Sequence, residues 1–166
     1  MILPLITLDG EQSVIISFQV KEIDSKTFLG PEGARQHKSI NINFDINIKN
    51  PMLVEQKTPF GEKQIIRLEY ALSINYMNPN IGYIRFEGST DYYQEGDLEE
   101  IHRQWTSGSA PPAVQNEVAN TMVSNLAPLA LTISKTLGLP PAVPLPAVNF
   151  QGKQQKKPDA PTHYHG

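Results

Sequence analysis

The 166-residue chain contains no cysteine, which excludes disulfides, thiolate zinc sites and cysteine nucleophiles. It also lacks a surplus of positive charge: 14 lysines and arginines stand against 17 acidic residues, a net charge of −3, so we expect no direct binding to nucleic acid. A long hydrophobic run is missing too, because the apolar stretch Met1–Leu8 is short and contains Pro4. We therefore expect a cytoplasmic protein with no signal peptide and no membrane insertion.

Catalytic and metal-binding motifs are missing as well. The segment Ser107–Ser109 lacks the spacing of a nucleophile elbow, and Gly30–Gly33 is neither a Walker loop nor a dinucleotide fingerprint. The acidic residues between Asp91 and His102 fit no calcium loop and no zinc-binding helix. We therefore predict that the protein is not an enzyme and has no catalytic residue, no metal ligand and no cofactor.

The chain does contain a strict alternation of apolar and polar residues from Ile40 to Lys49. Successive side chains of a strand point to opposite faces, so this pattern is typical of an antiparallel sheet that is covered on one side only. Three further segments repeat it, namely Ser13–Ile23, Gln64–Tyr76 and Ile81–Asp91. These four strands predict one antiparallel sheet with a meander or Greek-key order.

Two local sequence features predict a bulge in the first strand and the end of the second. In the first strand Val14, Ile16, Phe18 and Val20 share one face, and the alternation slips at Glu22–Ile23, which predicts a bulge. The second strand is expected to end at Asn50–Pro51, because proline cannot donate a hydrogen bond to a strand ladder.

Beyond Gly96 the pattern becomes helical. Gln94–Trp105 is an acidic crossover segment of one or two helical turns, and a long helix is expected to begin at Pro112 and to end at Gly138. Pro128 is expected to break or kink that helix. Leu139–Pro146 should be extended polyproline-like chain.

The whole pattern predicts an α+β fold in which a long C-terminal helix covers one face of the four-stranded antiparallel sheet. One domain is expected to span residues 1–150. Residues 151–166 are polar and low in complexity, and they are expected to form a disordered tail.

The string from Gly138 to Phe150 resembles the SecB family of export chaperones. In that family the long helix ends in a glycine and runs into a proline-rich loop that closes on Pro-Val-Asn-Phe. The corresponding residues here are Gly138, Pro141, Leu145, Val148, Asn149 and Phe150. The order of strands, crossover segment and helix matches as well, so the resemblance covers about Ser13 to Phe150.

The resemblance implies a holdase that works without ATP and binds unfolded or pre-secretory polypeptides in an apolar groove. It also implies self-assembly, as a homodimer or as a tetramer built from two dimers. The groove residues it implies are Tyr92, Tyr93, Leu98, Ile101, Trp105, Val118, Met122, Leu126 and Leu129. An apolar stripe on a helix over a sheet also fits a core, and the rings of Tyr92, Tyr93 and Trp105 also fit packing between subunits.

Two features depart from the family. After Phe150 the chain continues into a polar segment instead of a short helix. The exposed sheet face mixes basic and acidic residues evenly, whereas the family passes clients to the SecA motor through an acidic face, so coupling to SecA is doubtful. A relative that serves archaeal proteins or a toxin–antitoxin pair fits better. The alternative is a non-enzymatic scaffold that docks one folded partner, such as a ribosome or an antitoxin.

Overall fold

The computed structural model describes residues 5–6, 12–30, 32, 39–59, 61–142, 149–150 and 162–165. The elements are, in chain order, β1 (Leu5–Ile6), β2 (Gln12–Thr27), β3 (Ser39–Thr58), β4 (Gly61–Met77), β5 (Gly82–Gln94), α1 (Leu98–Thr106), α2 (Pro112–Leu137) and β6 (Thr162–His165). The predicted α+β class and the antiparallel sheet of four long strands are confirmed. Neither described helix has the length and apolar character needed to cross a membrane.

All strands belong to one antiparallel sheet with the order β1-β2-β5-β4-β3-β6. Strands β3, β4 and β5 are consecutive in the chain and form two hairpins. Strand β2 does not pair with β3, the next strand in the chain, but with β5. Of the two orders that the sequence left open, this is the Greek key. The short strands β1 and β6 pair with only one end of β2 and β3, respectively.

The helices cover one face of the sheet. Helix α2 lies against β2 and β5, and helix α1 lies against β3 and β4. Most of the buried apolar residues belong to one of two clusters. The main cluster contains Ile40, Ile42, Tyr70, Leu72, Ile74, Tyr76, Ile81, Ile84, Phe86, Met122, Val123, Leu126, Ala130, Leu139 and Ala142. The Trp105 cluster contains Ile66, Leu68, Tyr92, Leu98, Ile101, Trp105, Ala110, Val114 and Val118.

Helix α2 begins and ends where the sequence predicts. Pro112 occupies its first turn, and Gly138 follows it in a left-handed conformation with φ 69°. The next residue closes this cap, because the amide of Leu139 donates to the carbonyl of Ser134 at 2.9 Å. Of the break or kink predicted at Pro128, the break does not occur, since one helix runs through this residue. The carbonyl that loses its donor belongs to Ser124, which is exposed, so water can satisfy it.

Strand β2 has two bulges. Its register with β5 shifts between Val20 and Glu22, just before the slip predicted at Glu22–Ile23, and also between Ile15 and Ser17. A bulge inserts one extra residue into a strand, so the alternation changes face at that point.

Because of the bulge between Ile15 and Ser17, the start of β2 presents other residues to the helices than the sequence predicts. Val14 lies opposite Tyr93, whereas Ile15 lies opposite Tyr92, a member of the Trp105 cluster. Ile15 therefore points to the helices and Val14 to the other face, although the strict alternation had assigned Val14 and Ile16 to the apolar side.

Strand β3 does not end at Asn50–Pro51, as was predicted, but continues to Thr58. The register with β4 shifts between Lys49 and Met52, and Asn50 has a positive φ of 54°. The two residues thus form a bulge. Proline is tolerated there because β3 lies near the edge of the sheet, where a missing donor need not interrupt a ladder.

The tail prediction for residues 151–166 falls largely outside the described residues. Four of its residues form β6, which pairs antiparallel with Ser39–Ile42. For these four residues a strand replaces the expected disorder, because the edge of β3 offers hydrogen-bonding groups to an added strand. Residues 143–146 of the stretch Leu139–Pro146 lie outside the described residues too.

Candidate functional site

The apolar groove implied by the family resemblance is not an accessible surface in this chain. Tyr92, Leu98, Ile101, Trp105 and Val118 lie in the Trp105 cluster, and Met122 and Leu126 lie in the main cluster. None of these seven side chains is more than 8% exposed. They form the contact between the helices and the sheet, which is the core alternative that the sequence left open for a helical stripe.

The positions of the two tyrosines follow from the length of β5. This strand was expected to end at Asp91 but continues to Gln94, so Tyr92 and Tyr93 belong to a strand and point to opposite faces. Tyr92 points to the helices and is buried, while Tyr93 is partly buried on the other face. Leu129 lies on the outer side of α2 and is 38% exposed. Tyr93 and Leu129 are thus on different sides of the molecule and cannot line one groove together.

The two edges of the sheet differ in a way that the sequence pattern did not reveal. An edge strand has unpaired backbone groups that can bind another strand, and proteins commonly protect such edges with bulges and charged residues. The β2 edge has both kinds of protection. It has two register shifts, and its exposed residues include Lys21, Glu22, Asp24 and Lys26.

The β3 edge, unlike the bulged β2 edge, contains a long regular stretch. From Asn43 to Lys49 every residue pairs with β4 in an unbroken register. On the other side of β3, no strand of the described part of the chain pairs beyond Ile42. We call the stretch Asn43–Lys49 the open β3 edge. Every second residue of this stretch directs its backbone N–H and C=O away from β4, where they can pair with an added strand.

An apolar strip accompanies the open β3 edge. Phe44, Ile46 and Ile48 point to the helix side, pack against the main cluster and remain partly exposed. They are only partly covered because α2 lies over β2 and β5, at the other side of the sheet, while α1 is a short helix of nine residues. The strip and the backbone edge together form a surface to which an extended chain can bind with both its backbone and its side chains.

The open β3 edge ends at the bulge of Asn50 and Pro51. The side-chain amide of Asn50 donates to the carboxylate of Glu69 at 2.5 Å, which anchors the bulge to β4. Proline has no amide hydrogen, so an added strand loses a hydrogen-bond donor at this position. The bulge therefore limits a bound strand to the stretch before it.

The sheet face away from the helices combines the buried Val14 and Ile65 with polar residues, and it includes an ion pair with a buried carboxylate. Arg67 donates to both carboxylate oxygens of Asp91, from Nε at 2.8 Å and from Nη2 at 2.9 Å. The hydroxyl of Ser17 also donates to Asp91 at 2.9 Å, and Arg67 Nη2 donates to Gln56 at 2.7 Å. The hydrogen-bonded carboxylate raises the pKa of Arg67, so the guanidinium stays charged. This network ties β2, β3, β4 and β5 together.

We expect Asp91→Ala to lower the free energy of unfolding by about 2 kcal/mol, because its carboxylate is 2% exposed and accepts three hydrogen bonds. The loss stays moderate because the Arg67 side chain is 38% exposed and can be hydrated. Urea denaturation measures the change. The control is Glu87→Ala, which removes the exposed pair with Arg85 and should change stability by less than about 0.5 kcal/mol. Equal effects of the two variants would contradict the structural role of Asp91.

A concavity of about 560 Å³ lies at the start of α1. Its lining includes Gln64, Tyr93, Asp97, Glu99 and Glu100. Glu100 is already bound by Arg103 and Gln104, and this contact lowers its pKa. The described residues contain no group of three or more side chains that could hold a metal ion. The concavity is therefore an acidic surface feature.

Comparison with known proteins does not identify the chain. No family model, no curated protein and no solved structure matches it.

Proposed function

We propose that this protein is a holdase that binds extended, unfolded polypeptides along the open β3 edge without ATP. The observation that carries the proposal is a regular stretch of seven edge residues, which no described strand pairs on its outer side, with a partly exposed apolar strip beside it. The SecB-like string from Gly138 to Phe150 and the agreement in element order support the same function. The proposed surface differs from the groove that the resemblance implied.

Strand addition explains how one surface binds many clients. An unfolded chain that lies along β3 makes hydrogen bonds through its backbone, and backbone groups are the same in every sequence. Such binding needs no nucleotide, because forming and breaking a few ladder hydrogen bonds is reversible. Strand addition requires an extended client segment. A client that has folded has no such segment and therefore no longer binds.

The two faces of β3 define which client segments fit. A strand added to the edge places alternate side chains beside Phe44, Ile46 and Ile48, and these contacts remove apolar surface from water. The other side chains lie beside Asn43, Asp45 and Asn47, which are exposed. We therefore expect a preference for segments that alternate between apolar and polar residues. These are the segments that form aggregating sheets when they are left unprotected.

The first experiment mixes the purified protein with a chemically unfolded, slowly folding client in the absence of nucleotide. Aggregation is followed by turbidity, and light scattering reports the mass of the complex. We expect suppression of aggregation near one client per oligomer. An absence of both suppression and complex, from a well-folded protein, would contradict the holdase function and favour a scaffold with one specific partner.

A substitution pair tests the location of the site. Ile46→Lys places a charge in the apolar strip, and we expect it to weaken client binding by about tenfold or more, since a buried contact is replaced by a hydrated ammonium group. The matched control is Asn47→Lys, which adds the same charge to the same strand on the exposed polar face. Fluorescence anisotropy with a labelled unfolded client measures both.

Both lysine variants must remain folded, as judged by circular dichroism. If Ile46→Lys does not fold, Ile46→Thr keeps the β-branched shape and still removes apolar surface. If the Ile46 variant and the Asn47→Lys variant bound the client with equal affinity, the binding site would lie elsewhere.

A further inference from the structure

The chain itself places a strand on the edge that we assign to clients. Strand β6 pairs antiparallel with β3, with His165 opposite Ser39 and Thr162 opposite Ile42. The next residue of β3 is Asn43, the first residue of the open β3 edge. The two stretches form one continuous row of eleven residues, Ser39–Lys49, without a register shift between Asn41 and Lys49.

The sequence before β6 disfavours pairing with β3 beyond Ile42. Pro158 and Pro161 precede Thr162, and proline has no amide hydrogen to donate to a ladder. The segment is therefore a poor ligand for any part of β3 beyond Ile42.

The tether makes such a short strand effective. A strand of four residues has little affinity of its own, but only residues 151–161 separate β6 from Phe150. Phe150 is held near the start of α2, because its amide donates to the side-chain oxygen of Asn116 at 2.5 Å. A tether of this length keeps β6 at an effective concentration in the millimolar range. Pairing with β3 is thus an intramolecular event that a free client has to compete with.

We propose that β6 is a tethered self-ligand of the β3 edge, and that the full client site is the row Ser39–Lys49, from which long clients displace β6. This inference rests on the proposed function. The displacement of β6 makes binding depend on the length of the client segment. A segment of about seven residues fills the open β3 edge and leaves β6 in place, while a segment of eleven residues has to remove β6 first.

The test uses two labelled peptides of alternating valine and threonine, seven and eleven residues long, whose binding is measured by fluorescence anisotropy. The full chain is compared with a variant that lacks residues 162–166, and with Tyr164→Pro, which removes a backbone donor from β6 at full chain length. We expect both variants to bind the long peptide about tenfold more tightly, the effect of a few cross-strand pairs, and the short peptide with unchanged affinity.

Hydrogen exchange provides a readout that does not depend on any client. In both variants the amides of Ser39–Ile42 should exchange faster than in the full chain, while those of Asn43–Lys49 stay unchanged. Equal affinity of all three proteins for the long peptide would overturn the self-ligand and leave the proposed function standing. If none of the proteins bound either peptide, the proposed function would fail, and this inference with it.

Discussion

Trp105→Ala is expected to lower the free energy of unfolding by about 3–5 kcal/mol, the usual range for removing a large buried aromatic side chain. Trp105 is 8% exposed and lies in a cluster with Ile66, Leu68 and Tyr92. It is the last buried residue of α1, a helix of nine residues that also buries Leu98 and Ile101. A helix this short is not stable by itself in water, so its contacts with the sheet must hold it in place.

Thermal and urea denaturation, followed by circular dichroism, measure this loss. The matched control is Leu129→Ala, which also shortens a large apolar side chain on a helix but at a position that is 38% exposed. We expect the control to cost less than about 1 kcal/mol. A small effect of Trp105→Ala on stability, together with a large loss of client binding, would contradict its burial and restore Trp105 to a binding groove.

Gly88→Ala is expected to destabilise the protein by at least about 3 kcal/mol, at the upper end for overpacking, because a methyl group has no space at this position. A Cβ atom on Gly88 would lie 1.9 Å from the carbonyl oxygen of Gln19 and 2.5 Å from the hydroxyl of Tyr70. The first of these neighbours is backbone and cannot move without shifting β2. The register places Gly88 between Tyr70 of β4 and Val20 of β2.

The close approach at Gly88 allows the Tyr70 side chain to cross the sheet. Its ring stacks on Phe18 with 4.8 Å between centroids, and its hydroxyl donates to the Gln19 carbonyl at 2.9 Å. Burial raises the pKa of Tyr70, so the hydroxyl keeps the proton that it donates. An aromatic side chain that packs over a glycine of the neighbouring strand is a known means of stabilising a sheet.

Two further variants separate the clash from the loss of the hydrogen bond. Tyr70→Phe removes only the hydroxyl and should cost about 1 kcal/mol. Gly30→Ala is the glycine control, since its nearest neighbour is the flexible side chain of Glu32 at 3.4 Å, and its effect should stay within about 0.5 kcal/mol. Urea denaturation measures all three. A stability of Gly88→Ala equal to that of Gly30→Ala would show that β2 and β5 are not as close as described.

The periodicities of the sequence predicted the elements that depend on local patterns. The alternation from Ile40 to Lys49 and the cap at Gly138 are visible in a few neighbouring residues, and both are confirmed. The bulge after Ile15 and the passage of α2 through Pro128 were missed. Each depends on what the neighbouring element or the solvent offers at that point, and a short window of sequence contains no such information.

The candidate site was missed for a similar reason. Phe44, Ile46 and Ile48 were recognised as one apolar face, but only the strand order shows that β3 lies towards an edge and that α2 lies elsewhere. The groove residues were chosen for their size and type, and large apolar side chains at helical spacing most often form a core. Trp105 and Met122 follow that rule.

The strand order also has a consequence for how the chain folds as it is synthesised. Strand β2 is the first of the four long strands to emerge, yet its partner is β5, so Val14 must wait for Tyr93 before the two can pair. The hairpins of β3, β4 and β5 connect near neighbours and can form early, whereas closing the loop back to β2 costs more entropy and slows the last step. Until that step the edge of β5 is unprotected. The nascent chain thus has, for a time, the same need for a protecting strand that we assign to its clients.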